Sequence, residues 1–164
     1  MMFSENEMLD VDLLDEDEED TQQDKFLTFF IGQEEYGIDI KYVTEIIGVQ
    51  KITEVPDMPN YIKGVINLRG KVIPVMDVRL RFGMEERDYD DRTCIIVINV
   101  EEQAVGLIVD RVSEVLDIPA GDIEPPPQLQ RGNKGMLLMG MGKVDDGVKI
   151  LLDAQKLLFD EEGE

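Results

Sequence analysis

The stretch Tyr36-Gly37-Ile38-Asp39-Ile40-Lys41-Tyr42-Val43-Thr44-Glu45-Ile46-Ile47 returns 69 residues later as Val105-Gly106-Leu107-Ile108-Val109-Asp110-Arg111-Val112-Ser113-Glu114-Val115-Leu116. Gly37, Val43 and Glu45 recur as Gly106, Val112 and Glu114, and the apolar positions between them keep step. A second echo is two apolar residues and an Asp ahead of a short helical pattern: Val75-Met76-Asp77, then Leu151-Leu152-Asp153, 76 residues on. The second copy is therefore longer by about seven residues, which the Pro/Gly-rich loop 118–136 accommodates. A duplicated unit of about 65 residues with roughly five short strands is near the usual sheet size. Units this small manage their strand edges by closing into barrels.

Working outward, Phe26–Ile31 and Tyr36–Ile40 read as strands joined through Gln33-Glu34-Glu35. Val43–Ile47 fits either a helical turn or an extended piece, and Gln50–Val55 reads as a strand stopped by Pro56 and Pro59. Val65–Leu68 and Val72–Met76 flank Arg69-Gly70 as a hairpin. Asp77 then caps a short helix, Val78–Phe82. After the charged connector Glu85–Arg92, strands are predicted at Thr93–Val100, Gln103–Val109 and Val112–Leu116. Leu137–Val144 and Val148–Leu152 flank the turn Asp145-Asp146-Gly147, and Asp153 caps a last helix, Ala154–Phe159. The expected division is a tail over 1–24, one unit over 25–86, a second with its C-terminal helix over 87–160, and an acidic end at 161–164.

Charge and composition exclude much. The 164 residues hold 16 Lys+Arg against 37 Asp+Glu, a net charge of −21. Residues 1–24 contribute 11 acids and no base, including the run Asp15-Glu16-Asp17-Glu18-Glu19-Asp20. A block that repels itself so strongly reads as disordered. Its Met8, Leu9, Val11, Leu13 and Leu14 could still dock weakly on a partner. The rest of the chain is also acidic, which opposes nucleic acid and anionic membranes. With no His in the sequence, His-based triads and His-zinc sites are excluded. Cys94 is the single cysteine and sits in an apolar strand, so it reads as a packed thiol. Neither a metal-ligand spacing nor a phosphate loop survives inspection, and Gly140-Met141-Gly142-Lys143 lacks the required pattern. No cofactor is expected. No segment approaches a membrane span or a secretory signal, so a soluble cytoplasmic protein is the default reading.

The binding features are stronger. Arg69 at a hairpin tip offers five donors in a planar fork to a partner, or pairs with a neighbouring acid. Ile40 and Val43 follow a hairpin strand and are either exposed anchors or core.

Residues 26–159 resemble the CheW-like chemotaxis coupling family. The resemblance rests most specifically on Tyr61-Ile62-Lys63-Gly64-Val65-Ile66-Asn67-Leu68-Arg69-Gly70-Lys71-Val72-Ile73-Pro74-Val75-Met76-Asp77 and on Val105–Leu116. It implies an all-β fold with short helices: two SH3-like five-stranded β-barrel subdomains behind the disordered acidic tail. It also implies a scaffold without catalytic activity, linking chemoreceptor cytoplasmic tips to the histidine kinase CheA, at receptor arrays on the inner face of the membrane. The isolated protein is expected to be a monomer. The receptor surface would include Glu45, Gly64 and Arg69, completed by Gly106 and Val115. The kinase surface would include Leu27, Ile40 and Val43, with their apolar side chains facing outward, and a second contact around Glu124 and Leu129. At those two places the chain departs from some members, which carry Arg and Phe. Two other roles fit a small β unit: a stand-alone regulatory module of another kinase pathway, or a small-molecule-binding barrel.

Overall fold

The computed structural model of the chain describes residues 23–126 and 137–159. The expectations for the tail 1–22, for Leu129 and for the end 161–164 lie outside the described residues.

Among the described residues, eleven strands follow in order: β1 Lys25–Ile31, β2 Glu34–Asp39, β3 Val43–Gly48, β4 Ile62–Leu68, β5 Lys71–Asp77, β6 Cys94–Val100, β7 Gln103–Val109, β8 Arg111–Asp117, β9 Ile123–Glu124, β10 Leu138–Val144 and β11 Gly147–Leu152. Two short helices, α1 Val78–Arg81 and α2 Ala154–Phe159, follow β5 and β11. The fold is mostly β with only short helices, as expected, and its strands form two sheets. One sheet runs β8-β1-β2-β11-β10-β9 and the other β3-β6-β7-β5-β4. The predicted strand over Gln50–Val55 shrinks to one residue: Thr53 alone bridges to Val65, by two backbone hydrogen bonds of 2.9 Å. The first hairpin turns on Gly32-Gln33, at φ +66° for Gly32, so Glu34 and Glu35 belong to β2 rather than to the connection.

The division at residues 86/87 does not separate the sheets. The six-stranded sheet takes β1 and β2 from the first half and the rest from the second. The five-stranded sheet takes β6 and β7 from the second half and β3, β4 and β5 from the first. The two halves thus exchange their first hairpins reciprocally. Connection length forces this. β3 is antiparallel to β6 and β6 to β7, so β3 and β7 run parallel in one sheet. An unexchanged half would need β2 and β3 parallel in one sheet, joined only by the 3-10 turn Ile40–Tyr42. Parallel strands of one sheet need a crossover of about a dozen residues or more. The chain instead turns a corner and enters the other sheet. Asp110, the single residue between β7 and β8, makes the matching corner.

The duplication survives the exchange residue by residue. Val75 pairs with Gly106 in the parallel contact of β5 and β7, and Leu151 with Gly37 in that of β11 and β2. The same bulge falls between Ile62 and Gly64 in one hairpin and between Leu138 and Gly140 in the other.

Three apolar layers result. The largest lies between the sheets and joins Leu27, Phe29, Ile38, Ile40 and Val43 to Ile96, Ile98 and Leu107. Ile66, Ile73, Val75, Ile95, Val97 and Ile108 fill the other face of the five-stranded sheet. Phe26, Ile118 and Leu151 form a smaller counterpart in the six-stranded one. Strand β6 feeds two layers, with Ile96 and Ile98 on one face and Ile95 and Val97 on the other. A strand buried on both faces reads as a continuous apolar run, which is why residues 94–98 do not alternate.

Burial corrects one group of sequence expectations. Leu27, Ile40 and Val43 were expected to face outward as kinase contacts, but they are 3%, 3% and 6% exposed. The exchanged β6–β7 hairpin of the other half lies over them. They are core.

Candidate partner-binding surface

The hairpin β4–β5 is closed by two residues, Arg69 and Gly70, between the paired Leu68 and Lys71. Both have positive φ, +54° and +86°, which is the turn geometry whose twist matches paired strands. Gly takes that conformation freely, whereas Arg at φ +54° bears a steric cost. The Asn67 side chain offsets part of it by accepting a hydrogen bond from the Gly70 N–H at 2.8 Å. The turn therefore fixes where the Arg69 side chain leaves the backbone. Its guanidinium is ion-paired with Glu45 on β3. Arg69 remains 69% exposed in its side chain and Glu45 17%, so the pair holds one face of the guanidinium and leaves the rest free.

Glu45 and Arg69 are thus brought together as expected of a shared surface. The other residues of the expected receptor group are not all surface. Gly64 is buried, at φ +149°, and a Cβ there would run into the Thr53 carbonyl. Gly106 is buried in mid-sheet, and a Cβ would come within 2.7 Å of the Ile95 side chain. Both glycines shape the sheet and present no side chain to a partner. Val115 is exposed at 43%, on β8, the edge strand of the six-stranded sheet. Glu124 is exposed on β9, where its carboxylate pairs with Lys143 at 3.2 Å.

Lys71 adjoins the Arg69-Gly70 turn, paired with Leu68 across it, and was passed over by the sequence reading. Lys51 lies two residues before Thr53, the residue bridged to Val65. Both lysines are exposed and make no ion pair among the described residues. Val72, beside Lys71, is 64% exposed.

A second polar centre holds the two sheets at the β7–β8 corner. Asp110 accepts two hydrogen bonds from Arg79 of α1, at 3.0 and 2.7 Å, one from Arg87 at 2.9 Å and one from the Gly32 N–H at 2.6 Å. Burial alone would raise this carboxyl. The Arg79 hydrogen bonds, the Gly32 N–H and the two guanidinium charges outweigh burial and hold it below the usual range. Asp77 caps α1 by accepting from the Leu80 N–H, and also accepts from the Tyr89 hydroxyl at 2.8 Å. Burial, then the Asp77 carboxylate, push the Tyr89 hydroxyl far up, so it stays a donor. These contacts are structural.

Among the described residues, no group of three or more Cys, Asp and Glu side chains is placed to hold a metal ion. Cys94 is half-buried, and burial raises its thiol, so it stays protonated. A cavity of about 320 Å³ beside α2 is lined by Glu101, Asp153, Gln155, Lys156 and Phe159. Four of those five side chains are charged or polar, unlike the mostly apolar lining of small-molecule sites. No helix among the described residues is long and apolar enough to cross a membrane.

The model of the CheW-like domain matches residues 25–162. The chain belongs to the CheW-like domain family. A chemotaxis protein CheW of Klebsiella aerogenes is 41% identical over 143 residues, covering 87% of this chain and 86% of that protein. The chemotaxis protein CheW of Helicobacter pylori is 37% identical over 143 residues, covering 87% and 85%. Among solved structures, the scaffolding protein TtCheW of Thermoanaerobacter tengcongensis superposes with a TM-score of 0.75 at 37% identity, covering 85% of this chain and 91% of that one. The exchanged two-sheet body described above is therefore that of a CheW-like scaffold.

Proposed function

We propose that this chain is a non-enzymatic coupling scaffold of chemotaxis, binding chemoreceptor cytoplasmic tips and the histidine kinase CheA and setting how the first biases the second. Membership of the CheW-like family and likeness to a scaffolding protein support the adaptor role. The observation that carries the receptor assignment is the Arg69 turn. A guanidinium held in place by Glu45, yet mostly exposed, is prepared to meet acceptors on a partner with little further ordering. Lys71 beside the turn adds positive charge, which suits an acidic or carbonyl-rich helical tip.

An adaptor needs two separate faces so that both partners bind at once. The duplicated, exchanged body supplies two related hairpin ends of opposite charge. One ends in Arg69-Gly70 and the other in Asp145-Asp146. The receptor reading is confined to the first. The kinase contact through Leu27, Ile40 and Val43 is withdrawn with their burial. Exposed Val115 and Glu124 remain as candidate contacts of the second sheet, and a place in receptor arrays on the inner face of the membrane follows from the receptor role.

The test is a titration of the full chain against a receptor-tip fragment and, separately, against the regulatory domain of CheA. Both should bind, and simultaneously. If neither binds, or if each displaces the other, the adaptor reading is wrong.

A further inference from the structure

The acidic segment Met8–Asp20 is the one sequence feature that the scaffold role leaves unused. We propose that it docks on the Lys51–Arg69–Lys71 end of the five-stranded sheet of its own chain and competes there with the receptor. The competition rests on the receptor reading above, whereas the docking does not.

Charge selects the place. Away from the first 24 residues, the chain carries 26 acids against 16 bases, so most of the surface repels an acidic segment. Lys51 and Lys71 are exposed cations with no ion pair among the described residues, and Glu45 meets only one side of Arg69. The equivalent end of the six-stranded sheet carries Asp145-Asp146 and would repel the same segment. The first turn residue has φ +54° in both hairpins, Arg69 and Asp145, while positive φ at the second is found only at Gly70, and the two ends carry opposite charge.

The apolar groups match as well. Val49, two residues before Lys51, is 36% exposed, and Val72, next to Lys71, is 64% exposed. In the segment, Leu9, Val11 and Leu13 alternate with Asp10 and Asp12, and six acids follow at 15–20. Alternation of this kind puts the apolar side chains on one side and the acids on the other when the chain is extended. One surface of mixed Val and Lys/Arg character thus meets one segment of mixed Leu/Val and Asp/Glu character.

Tether length permits it. Asp15 lies eight residues before Gln23 and Leu9 fourteen, spans of up to about 28 and 48 Å when extended. A body of this size has a radius of gyration of about 14 Å. Tethering keeps the local concentration of the segment in the millimolar range.

The experiment compares the full chain with a full-length variant in which Asp15, Asp17 and Asp20 become Asn and Glu16, Glu18 and Glu19 become Gln. Amide ¹H–¹⁵N spectra of both are recorded at low salt and at about 0.5 M NaCl, where the Debye length falls to about 4 Å. The expected result is a shift difference at Lys51, Gly70, Lys71 and Val72 that disappears at high salt. Receptor-fragment affinity at low salt should rise about threefold if the segment covers the site two-thirds of the time. Differences confined to Asp24–Phe26, or centred on Asp145–Gly147, would overturn the docking. Shifts at Lys51 and Lys71 with receptor affinity unchanged would keep the docking and reject this surface as the receptor site.

Discussion

Glu45 and Arg69 stand on opposite edges of the five-stranded sheet, and their ion pair joins those edges. Glu45 lies on β3 and Arg69 follows β4, the first and last strands in the order β3-β6-β7-β5-β4. The bridge from Thr53, five residues beyond the end of β3, to Val65 on β4 adds a backbone tie. The sheet is thereby curled until its ends meet, and the closing pair doubles as the exposed cationic tip. In the six-stranded sheet the equivalent positions are Glu114 and Asp145, which cannot pair as ions. One of the two duplicated units thus carries a guanidinium where the other carries a carboxylate.

This arrangement separates binding from stability. An exposed ion pair contributes about 0.2–1 kcal/mol, so Arg69→Ala should melt within a few degrees of wild type. The same variant should lose receptor-fragment binding by tenfold or more, because Ala replaces none of the charge-assisted hydrogen bonds. Arg69→Lys should recover only part, since an ammonium lacks the fork. Binding of the CheA regulatory domain should persist in both. Receptor affinity equal to wild type in Arg69→Ala would remove this turn from the site.

Ile40 makes the opposite case. At 3% exposed, in the layer between the sheets, it cannot receive a partner. Ile40→Glu would bury a carboxylate without a cation and should cost more than about 4 kcal/mol. Circular dichroism and urea titration should show an unfolded or strongly destabilised chain. A well-folded Ile40→Glu protein that selectively loses the kinase would restore Ile40 to the surface.

The Ile40 error shows what the sequence left illegible. Short strands, the hairpin at Arg69-Gly70, the Asp77 cap and the repeat were all readable, because each depends on neighbours in the chain. Which side of β2 and β3 is covered depends on the exchanged hairpin 46 or more residues away, and alternation alone does not report it. Two local signs did carry that information. The corner Ile40–Tyr42 is too short to return β3 into the sheet of β2, and the unbroken apolar run in β6 requires cover on both faces. Lys51 was illegible for a different reason: a one-residue bridge leaves no strand pattern to read.

The bulge glycines should rank by backbone strain. Gly64 combines φ +149° with a Cβ position blocked by the Thr53 carbonyl. Its repeat partner Gly140 has an unstrained φ, and a Cβ there would sit 2.7 Å from the Glu124 carbonyl. Gly64→Ala should therefore cost more than about 2 kcal/mol, and Gly140→Ala less than Gly64→Ala, read from urea midpoints. Equal losses would mean that φ contributes nothing at residue 64.

Asp110 contributes to the acid limit of the fold. Burial would raise its carboxyl, but the Arg79 hydrogen bonds and the other donors and charges around it hold it below its ordinary value in the folded state. A carboxyl depressed on folding contributes stability above its unfolded value and loses it as pH falls through the folded one. Melting temperature should fall steeply below about pH 4 in wild type. Asp110→Asn should be less stable at pH 7 and show a shallower fall, since the variant has no proton to take up there. Parallel curves for the two proteins would show that acid acts elsewhere.

The last prediction concerns a polar pair that the duplication singles out. Glu35 on β2 and Lys149 on β11 are neighbours across the parallel contact, paired at 2.7 Å with side chains 12% and 22% exposed. The equivalent neighbours in the other sheet are Ala104 and Ile73, both packed on an apolar layer. One unit thus carries an ion pair where its copy carries hydrocarbon. Burial raises the Glu35 carboxyl, but Lys149 and the nearby Thr28 and Ser113 hydroxyls lower it further, so it stays charged. Its second oxygen, Oε2, is buried and has no hydrogen-bond partner among the described residues. Taking two charges from water offsets much of their attraction, and a half-satisfied pair gains less still. Copying the other unit tests this directly. Lys149→Ile alone should cost more than about 2 kcal/mol, because it leaves the Glu35 charge buried and alone. Glu35→Ala alone should cost less, since Lys149 is the more exposed partner and can reach water by extending its stem. The double variant Glu35→Ala/Lys149→Ile should return to wild-type stability or exceed it by about 1–2 kcal/mol. Urea denaturation of the four proteins at pH 7 gives the cycle. A double variant less stable than either single one would show that the pair is worth more than the packing that replaces it.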